Sequence, residues 1–173
     1  MKIYYETERL ILRNLCVKDS DEVFKWTGDP DVNTYMIYPL YTNAEDLKEW
    51  LKHREDAIDD PDDYDCGIAL KETGELICGG GLTYHKETDT WGIGYNLRKE
   101  FWGKGYAVEA MQGLMDLIRQ TREIHAIEGE FCVENQKSQR VMEKLGMSFY
   151  KDSSYTKMDG SRTFISKVFR REF

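Results

Sequence analysis

Apolar residues recur along this chain in two rhythms, one short and extended, the other helical. Arg9-Leu10-Ile11-Leu12-Arg13 reads as a first strand. Asp19, followed three residues later by Glu22, predicts a capping box for a helix carrying Val23, Phe24 and Trp26, ended by Gly28-Asp29-Pro30. Thr42 and Glu45 repeat that signal ahead of Leu47, Trp50, Leu51 and Ile58. Asp59 to Asp65 holds five aspartates and one proline and reads as a loop, either a solvated turn or a cation-binding lip.

Strands are then expected over Cys66–Leu70, Leu76–Tyr84 and Thr90–Leu97, joined by the polar turns Glu72–Glu75 and Lys86–Asp89. Val108, Met111, Met115 and Ile118 fall at spacings of 3, 4 and 3, one face of a long helix. Ile124–Val133 predicts another strand, and Asn135–Leu145 a helix stopped by Gly146. A last hairpin turns at Asp159-Gly160. The sum is a mixed α/β fold with an antiparallel front half, a β-α-β-α unit and a C-terminal hairpin, in one domain over residues 1–173.

Composition narrows the chemistry. The opening Met1-Lys2-Ile3-Tyr4-Tyr5-Glu6 lacks the apolar core of a secretory leader, and no apolar run has the length of a membrane span. Four scattered cysteines without a CxxC pair, and three scattered histidines, point away from disulfides and metal, and towards reduced thiols in the cytoplasm. A net charge of −8 disfavours nucleic acid as a partner and favours cations.

The informative segment runs from Trp91 to Ala107. A strand ends at Tyr95-Asn96-Leu97, a loop carries Gly103 and Gly105, and the long helix begins. Unpaired N–H groups, the helix dipole and small residues make this an anion site in principle, although such a loop can also be a plain tight turn. It lacks the P-loop pattern, and Val108 stands where a dinucleotide fingerprint needs its third glycine.

Trp102-Gly103-Lys104-Gly105-Tyr106-Ala107 resembles the pyrophosphate-binding loop of the GNAT N-acetyltransferases, Gln/Arg-x-x-Gly-x-Gly/Ala, with Trp102 in the Gln/Arg position. Thr7-Glu8-Arg9-Leu10-Ile11-Leu12-Arg13, Asn135-x-x-Ser138 and Glu143-Lys144-Leu145-Gly146-Met147 are similar to the branch containing the ribosomal-protein N-terminal-alanine acetyltransferases. The resemblance implies acetyl-CoA as acetyl donor and a primary amine as acceptor, either a protein N-terminus or a small cationic amine. It implies that the main chain of Gly103 to Val108, Tyr106 and Ala107 included, holds the pyrophosphate, with Lys104 adding charge at the rim. Tyr95, Asn96 and Leu97 would pair with the pantetheine arm, Asn135 would contact it, and Ser138 would hydrogen-bond the departing thiolate.

Two family positions differ. The tyrosine that serves many relatives as proton donor, seven residues after the helix-opening Asn, is Met142, and the strand glutamate is Gly92. Glu130, Asp65, His85 or a water chain could replace the glutamate as base, while Glu109 reads as structural support. Asn135 and Ser138 also suit a plain helix cap. The alternative function is an acyl-CoA-binding sensor that has lost catalysis. Trp26, Tyr35, Met36 and Tyr38 would pack in the core, line an acceptor pocket or form a homodimer surface.

Overall fold

The computed structural model describes residues 3–173; Met1 and Lys2, part of the opening read above, lie outside the described residues. Eight strands form one sheet in the order β1-β2-β3-β4-β5-β6-β8-β7. They are β1 Tyr4–Glu6, β2 Leu10–Arg13, β3 Asp63–Leu70, β4 Leu76–His85, β5 Thr90–Leu97, β6 Ala126–Cys132, β7 Ser148–Thr156 and β8 Thr163–Glu172. Every pairing is antiparallel except β5 with β6. The helices are α1 Ser20–Thr27, α2 Pro30–Asn33, α3 Leu47–Asp56, α4 Tyr106–Arg119 and α5 Gln136–Lys144. No helix among the described residues is long and apolar enough to cross a membrane.

The two faces of the sheet bury separate cores. On one face α4 presents Met111, Met115 and Ile118 of the row anticipated by spacing, with Val108 half-buried at its start and Leu114 added, and α5 contributes Met142. On the other, Val23 and Trp26 of α1 pack with Leu47 and Leu51 of α3. Trp26 is 2% exposed under Gly79, so it is a core residue and belongs to no pocket or dimer surface. The stop at Gly146 is built as expected. Its φ is 76°, Met147 N–H donates to the Met142 carbonyl and Gly146 N–H to Glu143, a Schellman ending.

Local expectations fail where a distant partner competes. Asp19 does not form a box with Glu22. Its carboxylate accepts from Arg13 Nη1 and Nη2 and from Cys16 N–H, all at 2.9 Å, while Glu22 pairs with Lys25. A charged two-pronged bond outweighs a neutral cap. Nor does Thr42 cap α3: Asn43 Oδ1 accepts from Asp46 N–H, Glu45 pairs with Lys48, and Ile58 falls beyond the helix. The aspartate loop is shorter than expected, because β3 takes in Asp63, Tyr64 and Asp65. Arg54 of α3 pays for two of those acids by pairing with both Asp63 and Asp65. A short helix not anticipated from the sequence, α2, begins at the Gly28-Asp29-Pro30 stop, with Pro30 in its first turn and the Asp29 side chain accepting from Asp31 N–H.

Candidate active site

The site opens where the sheet comes apart. β5 pairs with β6 only at Trp91–Ile127 and Gly92–Glu128. Arg98 N–H donates to the Ile77 carbonyl, and Tyr84 N–H turns away from β5 to reach Asp62. In an antiparallel ladder the main chain alternates between neighbours, so Gly94, Asn96 and Arg98 bond to β4. Tyr95 and Leu97 therefore turn their N–H and C=O groups towards the opening. The Leu97 carbonyl is engaged, accepting from Trp102 Nε1 at 2.7 Å. The open main chain is thus chiefly that of Tyr95, and Asn96 contributes its side chain, which accepts from the Tyr38 hydroxyl at 3.0 Å.

The glycine loop follows directly. Gly103 and Gly105 have φ of 75° and 81°, the left-handed region that costs other residues about 1–2 kcal/mol. A Cβ on Gly103 would meet nothing within 4 Å; on Gly105 it would meet only Arg9 Nη2, at 3.5 Å. The loop main chain is therefore bare. The first N–H of α4 to find a helical acceptor is that of Glu109, on the Gly105 carbonyl, which leaves the preceding N–H groups free for an anion. The residues present fit a pyrophosphate.

Glu109 sits in the first turn of α4, where its charge would repel that anion, and it is neutralised. It accepts from the Thr7 hydroxyl at 2.6 Å, from Arg9 N–H at 2.8 Å and from Arg9 Nε at 2.6 Å. Burial alone would raise this carboxyl, but these bonds outweigh it and hold the group below the usual range. Arg9 also donates to the Lys104 carbonyl and lies over the Tyr106 ring, so the residue just ahead of β2 fastens the loop from outside.

Across the opening, Asn135 caps α5, its Oδ1 accepting from Ser138 N–H at 3.2 Å. Ser138 Oγ lies 3.1 Å from the Tyr95 hydroxyl. One cavity of about 760 Å³ is lined by every residue singled out for the site except Lys104: Tyr95, Asn96 and Leu97, the loop from Trp102 to Val108, Asn135 and Ser138. Its far wall holds Lys137, Arg140 and Lys144, spaced along one face of α5, with the Lys137 ammonium 3.8 Å from the centre of the Trp102 ring. Asp31, Thr34, Tyr35 and Met36, around α2, line it as well. The sequence reading missed Arg9 and the α5 cations, although the 3-and-4 spacing of the latter was a visible signal.

The candidate bases stand apart from the cavity lining. A Cβ on Gly92 would lie 2.6 Å from His85 Nε2, so the imidazole fills the place of the family's glutamate. Glu130 accepts from the Ser166 hydroxyl. Asp65 is held by Arg54 at 3.0 Å. Met142 is buried, its thioether beneath Gly129.

Residues 9–148 match the acetyltransferase (GNAT) domain. The chain belongs to the GNAT acetyltransferase family. It is 30% identical, over 96% of both chains, to a Bacillus licheniformis protein named uncharacterized N-acetyltransferase p20. This acetyltransferase also shares its fold with a ribosomal-protein-S5-alanine acetyltransferase from Vibrio fischeri (TM-score 0.81, 16% identity, 98% of this chain and 96% of that one). A spermidine N-acetyltransferase from Vibrio cholerae, in complex with CoA and spermine, is similar at TM-score 0.78 and 18% identity over 96% of each chain.

Proposed function

We propose that this acetyltransferase moves the acetyl group of acetyl-CoA to a primary amine by direct attack within a ternary complex. One observation carries the reading: the bare glycine loop, the open main chain of Tyr95 and the Ser138 hydroxyl share a single cavity. Gly103 to Val108 hold the pyrophosphate through their main chain, with Lys104 at the rim. Tyr95 pairs with the pantetheine arm, flanked by Asn96 and Leu97, and Asn135 contacts the same arm from α5. The Tyr95 N–H stands ready for the oxyanion, as an amide donor aimed at developing charge. Ser138 hydrogen-bonds the thiolate as the C–S bond breaks.

The amine must shed a proton before or during attack, since an alkylamine has a pKa of about 10.4. With Asp65, His85 and Glu130 outside the cavity lining, we assign that proton to a water chain. The acceptor enters beside Asp31, Thr34, Tyr35 and Met36, and the chain's net charge of −8 favours a cation, whether a protein N-terminus or a small amine. The four cysteines are free thiols, in keeping with a reducing cytoplasm.

The test is thiol release from acetyl-CoA across polyamines, aminoglycosides, amino-acid amides and peptides with free N-termini. Saturable release with one class is expected and names the acceptor. Tight acetyl-CoA binding with no release from any of them would replace the enzyme by an acyl-CoA sensor.

A further inference from the structure

The family's usual tyrosine is replaced by Met142, and the fold buries that side chain at 2% exposure, away from any role in proton chemistry. A different tyrosine reaches the same region from another element. Tyr95, on β5, brings its hydroxyl to 3.1 Å from Ser138 Oγ on α5, across 43 residues of sequence. Both side chains line the cavity.

The surroundings make this pair directional. Asn135 Oδ1 holds the Ser138 N–H and so fixes the serine backbone, but nothing in that bond aims the hydroxyl. A serine rotor alone can turn to several staggered positions. The Tyr95 side chain is half-buried against the core, and that burial pushes the phenol up to about 12 against the opposing effect of Ser138, so it keeps its hydrogen across the physiological range. When Tyr95 donates to Ser138 Oγ, the serine hydrogen is left for a third atom, and the chained bond polarises it.

We infer that Tyr95 is a positioning residue for the leaving group: its hydroxyl donates to Ser138 Oγ and turns the serine hydrogen towards the departing thiolate. The inference rests on the proposed reading of Ser138. As the bond from amine nitrogen to acyl carbon forms, the C–S bond breaks and its electron pair leaves on sulfur. The proton that neutralises this sulfur is the one the amine releases. Tyr95 and Ser138 lend hydrogen bonds and keep their own protons, since a phenol near 12 would not surrender one to a thiolate whose acid has a pKa of about 8.5.

The experiment compares wild type, Tyr95→Phe, Ser138→Ala and the double variant, measuring kcat, the KM for acetyl-CoA and the thermal midpoint. Phenylalanine keeps the ring and removes one oxygen. Tyr95→Phe is expected to lower kcat on the order of tenfold, the scale of one lost hydrogen bond, with KM within about twofold and the midpoint unchanged. The double variant should be no slower than Ser138→Ala alone, because the tyrosine acts only through the serine. Wild-type kcat in Tyr95→Phe, alongside an impaired Ser138→Ala, overturns the inference and leaves the proposed site standing. Multiplying losses in the double variant, or a Tyr95→Phe defect confined to KM and thermal stability, also overturns it. Full activity in Ser138→Ala removes the serine itself, and the proposed site reading with it.

Discussion

At the residue scale, Gly105 concentrates the demands of the glycine loop. Its φ of 81° disfavours any side chain, while the space beyond its Cβ direction holds only Arg9 at 3.5 Å. The fold has room for a substitution there, so the penalty falls on backbone strain and on the anion. Gly105→Glu is expected to weaken CoA binding by at least about a hundredfold, with strain of about 1–2 kcal/mol added to charge repulsion. Calorimetry with CoA on a variant whose circular dichroism is native provides the check; unchanged affinity would reject the cradle. Gly92 shows the opposite situation. Its lack of a side chain makes room for His85, a contact that no local pattern announces.

At the scale of elements, Arg54 ties α3 to β3 and creates a pH dependence. Burial raises the Asp65 carboxyl, Arg54 opposes that and the neighbouring Asp63 charge adds to it, leaving Asp65 at about 6. The unfolded chain titrates near the ordinary value of about 3.9. A folded pKa above the unfolded one means stability present at low pH and lost as pH rises through about 6. The loss is roughly 2–3 kcal/mol at most, since the Asp65 side chain remains 26% exposed. Asp65→Asn removes the titration, and Arg54 retains Asp63. Relative to wild type, the variant should gain about 5 °C or more in thermal midpoint between pH 4.5 and pH 7.5. A difference that does not change with pH would show that Asp65 ionises in the fold as it does in the open chain.

At the scale of the whole molecule, the α2 side of the cavity is assembled from segments far apart in the chain. Lys157, beyond β7, donates to the Asn33 carbonyl, Asn33 Oδ1 and the Met36 carbonyl at 3.1, 3.0 and 2.7 Å. The Tyr155 hydroxyl donates to the Tyr35 carbonyl, and Met158 N–H to that of Ile37. The C-terminal hairpin thus holds the segment carrying Thr34, Tyr35 and Met36 against the cavity. Lys157→Met keeps an apolar stem and removes three hydrogen bonds. It should raise the acceptor KM by roughly three- to tenfold, the scale of one to two net hydrogen bonds, with acetyl-CoA affinity unchanged. Equal weakening of both substrates would deny the division of the cavity into two walls.

What the sequence determined by itself was whatever is written within a few residues. The α4 stripe, the stop at Gly146, the closing turn at Gly160 and the glycine loop ahead of a helix all depend on spacing and backbone freedom within one or two turns. The motifs in their order were enough to name the family. Tertiary structure decided every contact in which a side chain had several possible partners. Asp19 went to Arg13 instead of capping its own helix, and Trp102 took the Leu97 carbonyl. Tyr95, read from sequence for its main chain, met Ser138 through its hydroxyl, and Lys157 captured a segment more than a hundred residues away. The reason is physical. A cap or turn is chosen by local dihedral energies, whereas a charged or hydroxyl group binds whichever partner the packed fold brings within about 3 Å.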